Sequence, residues 1–248
     1  MVGALPLIFA LLGTACESTP VLVYHHVGLA LDRPRYVTAE AFEAQLAYLE
    51  EADYTPITVS HYEAILAGDA PAPRRPIVLT FDDGDADFYR YAFPALRAHG
   101  YVATNFLISD VLRESDAERV LEPWPYLIWP EIREMQAHGI EFQSHTVHHP
   151  RLTKLSSDEI RFELEASKLA LEAKLAHPVV AVAYPYGVHS QDVRRLTHEV
   201  GYRSGYSVGG GINRDAERIR ISIGSDHRLP DFIDALEGTW WGESSGLR

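Results

Sequence analysis

The sequence predicts an α/β fold: a distorted, closed or incomplete (β/α) barrel of about seven parallel strands, built as one domain. Two observations predict it. From Val21 onward, short β-rich apolar runs alternate with amphipathic helical segments, the pattern of parallel βα units. A chain of 248 residues that is 46% hydrophobic also has enough apolar side chain for one full core at the upper end of domain size.

Taken in order, "VLVY" at 21–24 reads as the first buried strand. Thr38 can cap a helix whose apolar face carries Phe42, Leu46 and Leu49, and "ITV" at 57–59 reads as the next strand. After the loop "DAPAPRRP" comes the strand "IVLTF" at 77–81. A helix over 88–99 presents Phe93 and Leu96 and stops at Gly100, and "YVATNFLI" returns as a strand. Pro130 opens a helix that ends at Gly139, followed by the strand "IEFQS". Ser156 and Glu159 form a capping box before a long helix to about Ala176. "VVAVAY" at 179–184 is a strand and 190–200 a helix. Strands near 202–207 and 219–223 and a helix from about Pro230 complete the units.

Lysine and arginine number 22 against 35 aspartate and glutamate, a net charge of -13. That balance argues against a nonspecific nucleic-acid binder, which needs basic surface to displace counterions. Cys16 is the only cysteine, so no internal disulfide or cysteine cage for a metal can form. Any metal must be held by His, Asp or Glu. Residues 1–18 are expected to be a signal peptide or lipoprotein-type leader. The stretch "MVGALPLIFALLGTA" has an apolar run but no charge, and is too short for a bilayer span of roughly 20 residues. Cys16 after "GTA" would be the acylated residue and the one membrane attachment, although Gly13 and the missing basic n-region depart from that pattern. The chain is therefore expected to be exported, with residues 19–248 as a single domain.

In parallel barrels the working residues sit at the carboxyl ends of strands. Three polar clusters fall there. "TFDDG", Thr80 to Gly84, ends a buried run in two carboxylates that a glycine turn can aim into one cleft; a solvated Asp-Gly turn reads equally well. "SHTVHHP", Ser144 to Pro150, holds His145 and His149 four apart, the spacing that puts two imidazoles on one side of a helical turn and leaves His148 pointing elsewhere. With an aspartate from another strand end they make a two-His, one-carboxylate set with open coordination positions. "AYPYG", Ala183 to Gly187, is a turn whose Tyr186 amide and ring could line a cleft.

Together, in this order, the clusters resemble the signature motifs of polysaccharide deacetylases of the NodB-homology class, carbohydrate esterase family 4. The likeness runs from about Val21 to Leu236. "PVLVYHHVG", "FEAQLAYLEEADYTPIT" and "WPEIREMQAHGIEFQSHT" resemble the subgroup that N-deacetylates poly-β-1,6-N-acetylglucosamine, an exopolysaccharide of biofilms. The resemblance implies that Asp83, His145 and His149 bind one divalent metal, usually zinc, with cobalt, nickel or iron also compatible. It makes Asp82 the general base and gives the Tyr186 amide, in the turn after Pro185, to the oxyanion. Two departures stand out. Many relatives carry a base-orienting Arg two residues before the Pro of the third motif, where this chain has Ala183. The Leu-x-His motif that supplies the usual acid is absent, and His227 in "GSDHRLP" lacks its context. Both departures are features of the same subgroup, in which an imidazole matching His25 lies at the active site as proton donor or substrate contact. A structural His25 remains the alternative. Trp129 matches an aromatic that can wall the sugar groove, or it is a core residue; Tyr24, Trp124 and Tyr126 are further stacking candidates. The implied partner is an N-acetylated polysaccharide, with peptidoglycan or chitin oligomers as the alternative substrates and a noncatalytic glycan-binding module as the alternative of another class.

Overall fold

The computed structural model describes residues 19–29, 35–121, 124–209, 217–225 and 227–240. The expected leader, with Cys16, lies outside them. The strands are β1 (Val21–Tyr24), β2 (His26–Gly28), β3 (Tyr36–Thr38), β4 (Thr55–Ile57), β5 (Pro76–Phe81), β6 (Thr104–Leu107), β7 (Glu141–Ser144), β8 (Ala181–Ala183), β9 (Ser204–Val208) and β10 (Glu217–Ser222). The helices are α1 (Ala39–Glu51), α2 (Val59–Ala67), α3 (Phe93–Ala98), α4 (Trp129–Ala137), α5 (Ser157–Leu175), α6 (Gln191–Glu199) and α7 (Leu229–Trp240).

The sheet runs β1-β10-β9-β8-β7-β6-β5 and closes through β5 onto β1, with Val21 opposite Val78 and Tyr24 opposite Phe81. Every pairing in this seven-strand ring is parallel. The predicted (β/α) barrel is thus a closed one. Parallel strands packed on both faces should read as unbroken apolar runs, and β1 and β5 are buried at every position.

One ring assignment changes. "ITV" at 57–59 is not a ring strand: β4 ends at Ile57 and pairs only with the first half of β5, while Val59 opens α2. The start signal for this helix is partly nonlocal. Thr58 caps it, but the Val59 amide donates to Thr104 Oγ1 at 3.0 Å and the Ser60 amide to the Glu141 carboxylate at 3.2 Å. These are the first residues of β6 and β7, so α2 stoppers the amino-terminal end of the barrel. Val59, Tyr62 and Ile65 pack there against Val21, Val78, Phe106, Ala181 and Tyr206. A larger cluster fills the space between barrel and helices, with Leu22, Phe42, Leu79, Phe142, Leu171 and Phe232 among its members. With one end plugged, the carboxyl-terminal end remains for chemistry. Among the described residues, no helix is long and apolar enough to cross a membrane.

Candidate active site at the barrel mouth

At the end of β5, the Asp82 amide donates to the Tyr24 carbonyl at 3.1 Å, the last ladder bond with β1. The chain then turns sharply, because Asp83 (φ 73°) and Gly84 (φ 79°) both take the left-handed conformation. A nonglycine residue held there is strained, and such strain persists where surrounding structure over-determines it. The turn drops Asp82 into the barrel, 3% exposed, and turns Asp83 over the mouth.

Asp82 meets Arg220 of β10. The guanidinium lies fully inside the barrel, 1% exposed, and forks onto the carboxylate with Nη1 to Oδ1 at 2.6 Å and Nη2 to Oδ2 at 2.7 Å. Burial pushes the Asp82 pKa up, but Arg220, with His145 behind it, outweighs burial and holds the carboxyl below the usual carboxylate range. Sequence reasoning missed Arg220 and found no substitute for the arginine that Ala183 replaces. A signal was present: an arginine inside a strand of a closed parallel barrel must have a buried anionic partner.

His145 and His149 come together, though not on a helical turn. The segment after β7 is an irregular loop with Thr146 (φ 70°) and His149 (φ 56°) left-handed, and this geometry folds the second imidazole back to the first, 4.7 Å between ring centres. His145 Nδ1 donates to the Ala183 carbonyl at 2.8 Å, which fixes the tautomer and leaves Nε2 toward the mouth. That nitrogen is 3.4 Å from Asp83 Oδ1, and His149 Nε2 is 3.5 Å from the same oxygen. One donor atom from each of Asp83, His145 and His149 lies within 4.8 Å of the other two, the set among the described residues that could hold a metal ion. Two imidazole nitrogens and a carboxylate oxygen suit a divalent transition metal with open positions, so the donor set fits such an ion. Burial, then His145, lowers the His149 pKa to about 4, so this imidazole is neutral and free to ligate at neutral pH. Against burial, Asp82 and Asp83 raise that of His145.

The third cluster closes the site from β8. Pro185 is buried, Tyr186 (φ 61°) and Gly187 (φ 68°) are left-handed, and the Tyr186 ring is 4.8 Å from that of His149 and half exposed. Glycine is required after it, since a Cβ on Gly187 would stand 2.7 Å from Val208 Cβ. His25 follows β1 at the same end of the barrel. It is buried, its Nδ1 has no hydrogen-bond partner among the described residues, and burial drives its pKa to about 4 against the pull of Asp82 and Asp83. Trp129 is 6% exposed and packs in the core between barrel and helices. His227 Nδ1 accepts from the Gly224 amide at 3.2 Å in the turn after β10.

A plugged parallel barrel whose mouth holds a metal-competent Asp-His-His set beside an arginine-clamped carboxylate is equipped for hydrolysis: the set can hold an ion that activates water, and the carboxylate can take a proton. The chain belongs to the polysaccharide deacetylase family, which residues 69–205 match. It is similar to YxkH of Bacillus subtilis, 27% identical over 88% of this chain and 77% of that protein. It is 26% identical to the poly-β-1,6-N-acetyl-D-glucosamine N-deacetylase of Staphylococcus aureus over 81% of this chain and 69% of the relative. Among solved structures, the Streptococcus pyogenes deacetylase PplD in complex with acetate superposes with a TM-score of 0.79 at 25% identity, covering 88% of this chain and 97% of that one. The chain is a polysaccharide N-deacetylase with the NodB-type barrel.

Proposed function

We propose that this enzyme removes N-acetyl groups from poly-β-1,6-N-acetylglucosamine outside the cytoplasm, with one divalent ion, zinc in the first instance, held by Asp83, His145 and His149. Residues 19–248 would form the catalytic domain and residues 1–18 the export leader, with Cys16 as a lipid anchor. The convergence of Asp82, Asp83, His145 and His149 at the plugged barrel's open end carries this reading. Similarity to the staphylococcal enzyme supports the choice of polymer.

When bound, the ion supplies Lewis acidity toward the acetamide carbonyl and lowers the pKa of its water. Asp82, kept ionised by Arg220, takes the proton of the attacking water. The Tyr186 backbone amide donates to the developing oxyanion. His25 hands a proton to the leaving nitrogen. It is neutral at the start, so the proton it gives is the one Asp82 took from the water, relayed to the imidazole before the carbon-nitrogen bond breaks. The carbon-nitrogen bond breaks, acetate leaves, and the sugar keeps a free amine.

The test is acetate release from poly-β-1,6-N-acetylglucosamine, N-acetylated peptidoglycan and chitin oligomers by the wild type and by Asp82→Asn. The first polymer is expected to be deacetylated fastest, and Asp82→Asn to lose about 10²–10⁴-fold in kcat. Faster turnover of peptidoglycan or chitin would reassign the substrate. Glycan binding without acetate release from any of them would make the chain a binding module.

A further inference from the structure

We infer that Glu163 of α5 is a positioning residue for the metal ligand His149, acting through the backbone of the loop that joins His145 to His149. The inference rests on the reading of Asp83, His145 and His149 as ligands. Glu163 is a buried carboxylate, 6% exposed, one layer behind the site. Its Oε2 accepts from two consecutive amides, Val147 and His148, each at 3.0 Å, and its Oε1 accepts from His148 Nδ1 at 2.7 Å. Successive amides converging on one anion form a backbone nest, and here the anion is supplied by the protein.

The other side of the loop is tied down as well. The Thr146 carbonyl accepts from the Ser109 amide and the Val147 carbonyl from the Asp110 amide, both at 3.1 Å. Thr146 Oγ1 accepts from the His149 amide at 3.1 Å. Between these anchors, Thr146 and His149 hold left-handed conformations that a nonglycine residue keeps only where its surroundings impose them. Without Glu163, two part-buried amides lose their acceptor and the loop can relax toward ordinary dihedrals, which carries His149 away from Asp83. His145 would be spared, because its ring is fixed independently by the Ala183 carbonyl. His148, left without a role by the motif spacing, becomes the side-chain part of the clamp.

The readout is Co²⁺ binding to the full chain stripped of metal, followed by visible absorption and by competition with a chelator. Glu163→Ala is expected to weaken binding about 10–100-fold and to shift the cobalt bands, as loss of an outer-shell partner does. Glu163→Gln keeps an oxygen for both amides, and its NH₂ can face the other His148 tautomer, so it should restore binding to within about threefold of wild type. His148→Ala, which leaves the backbone clamp intact, should bind within the same range. If Glu163→Ala does not fold, Glu163→Asp, which withdraws the carboxylate by one methylene, is expected to weaken binding in the same direction. Wild-type affinity and unshifted cobalt bands in Glu163→Ala or Glu163→Asp would overturn the inference. A Glu163→Gln as weak as Glu163→Ala would do so too. Asp83→Asn separates the two layers: if it binds Co²⁺ like wild type, the ligand reading itself fails, whereas a weak Asp83→Asn beside an unaffected Glu163→Ala refutes only the clamp.

Discussion

At the scale of single residues, the interaction that most constrains the chemistry is the buried fork between Arg220 and Asp82. A carboxylate this deep would ordinarily protonate to escape desolvation, and a base that is already protonated accepts nothing. Arg220→Met keeps much of the volume and removes the charge. Asp82 was held below its ordinary pKa by Arg220, so the variant's Asp82 should titrate higher. The acid limb of its kcat/KM profile should move to higher pH by about one unit or more. Since a depressed carboxylate contributes stability above its unfolded pKa and loses it as pH falls through the folded one, the variant should also lose about 3–5 kcal/mol near neutrality by denaturant titration. An unmoved acid limb would show that Arg220 serves the fold alone. Asp82, Asp83, His145 and His149 could be picked out because polar clusters ending apolar strands are conspicuous. Arg220 shows in the sequence only as a strand arginine in need of an anion; that the anion is Asp82 is not legible, because the two lie 138 residues apart and meet across β1, which pairs with both β10 and β5.

At the scale of elements, most of the barrel was readable because parallel strands buried on both faces give continuous apolar runs and the longer helices carry their own caps, as Thr38 and Ser156 do. The start of α2 was not readable because it depends on contacts made far away, with Thr104 and Glu141. The loop between His145 and His149 is irregular where the spacing suggests a helical turn, and its amides and carbonyls bond to Glu163 and to Ser109 and Asp110 after β6. Gly205 of β9 shows how tightly neighbouring elements fit. A Cβ there would stand 2.0 Å from the buried Tyr184 hydroxyl, so Gly205→Ala should cost about 1–3 kcal/mol in thermal or denaturant unfolding. An unchanged transition would mean that Tyr184 moves freely. His99, at the end of α3, joins two carboxylates of α1, with Nε2 to Glu43 at 2.9 Å and Nδ1 to Glu50 at 2.8 Å. Partial burial lowers its pKa, but the two carboxylates outweigh that and raise it. A raised histidine contributes stability that is complete below its unfolded pKa, near 6.5, and disappears as pH climbs through the folded value. His99→Gln should therefore lower Tm by about 1–3 °C at pH 5.5 and much less at pH 9. An equal loss at both values would assign His99 to packing.

At the scale of the whole molecule, the barrel divides stability from chemistry. One end is sealed by α2 over an apolar interior, and the other holds the titratable groups, with Asp83, His149 and Tyr186 fixed in left-handed backbone that the surrounding elements support. The acidic balance of -13 suits a polymer that becomes cationic as acetamides are converted to amines. We propose that deacetylation requires a divalent ion on Asp83, His145 and His149. This requirement is tested most directly by acetate release from an N-acetylglucosamine polymer before chelation, after chelation, and after zinc is returned. Activity is expected to fall to background when the metal is stripped and to recover when it is restored. Undiminished acetate release from the stripped enzyme would contradict it.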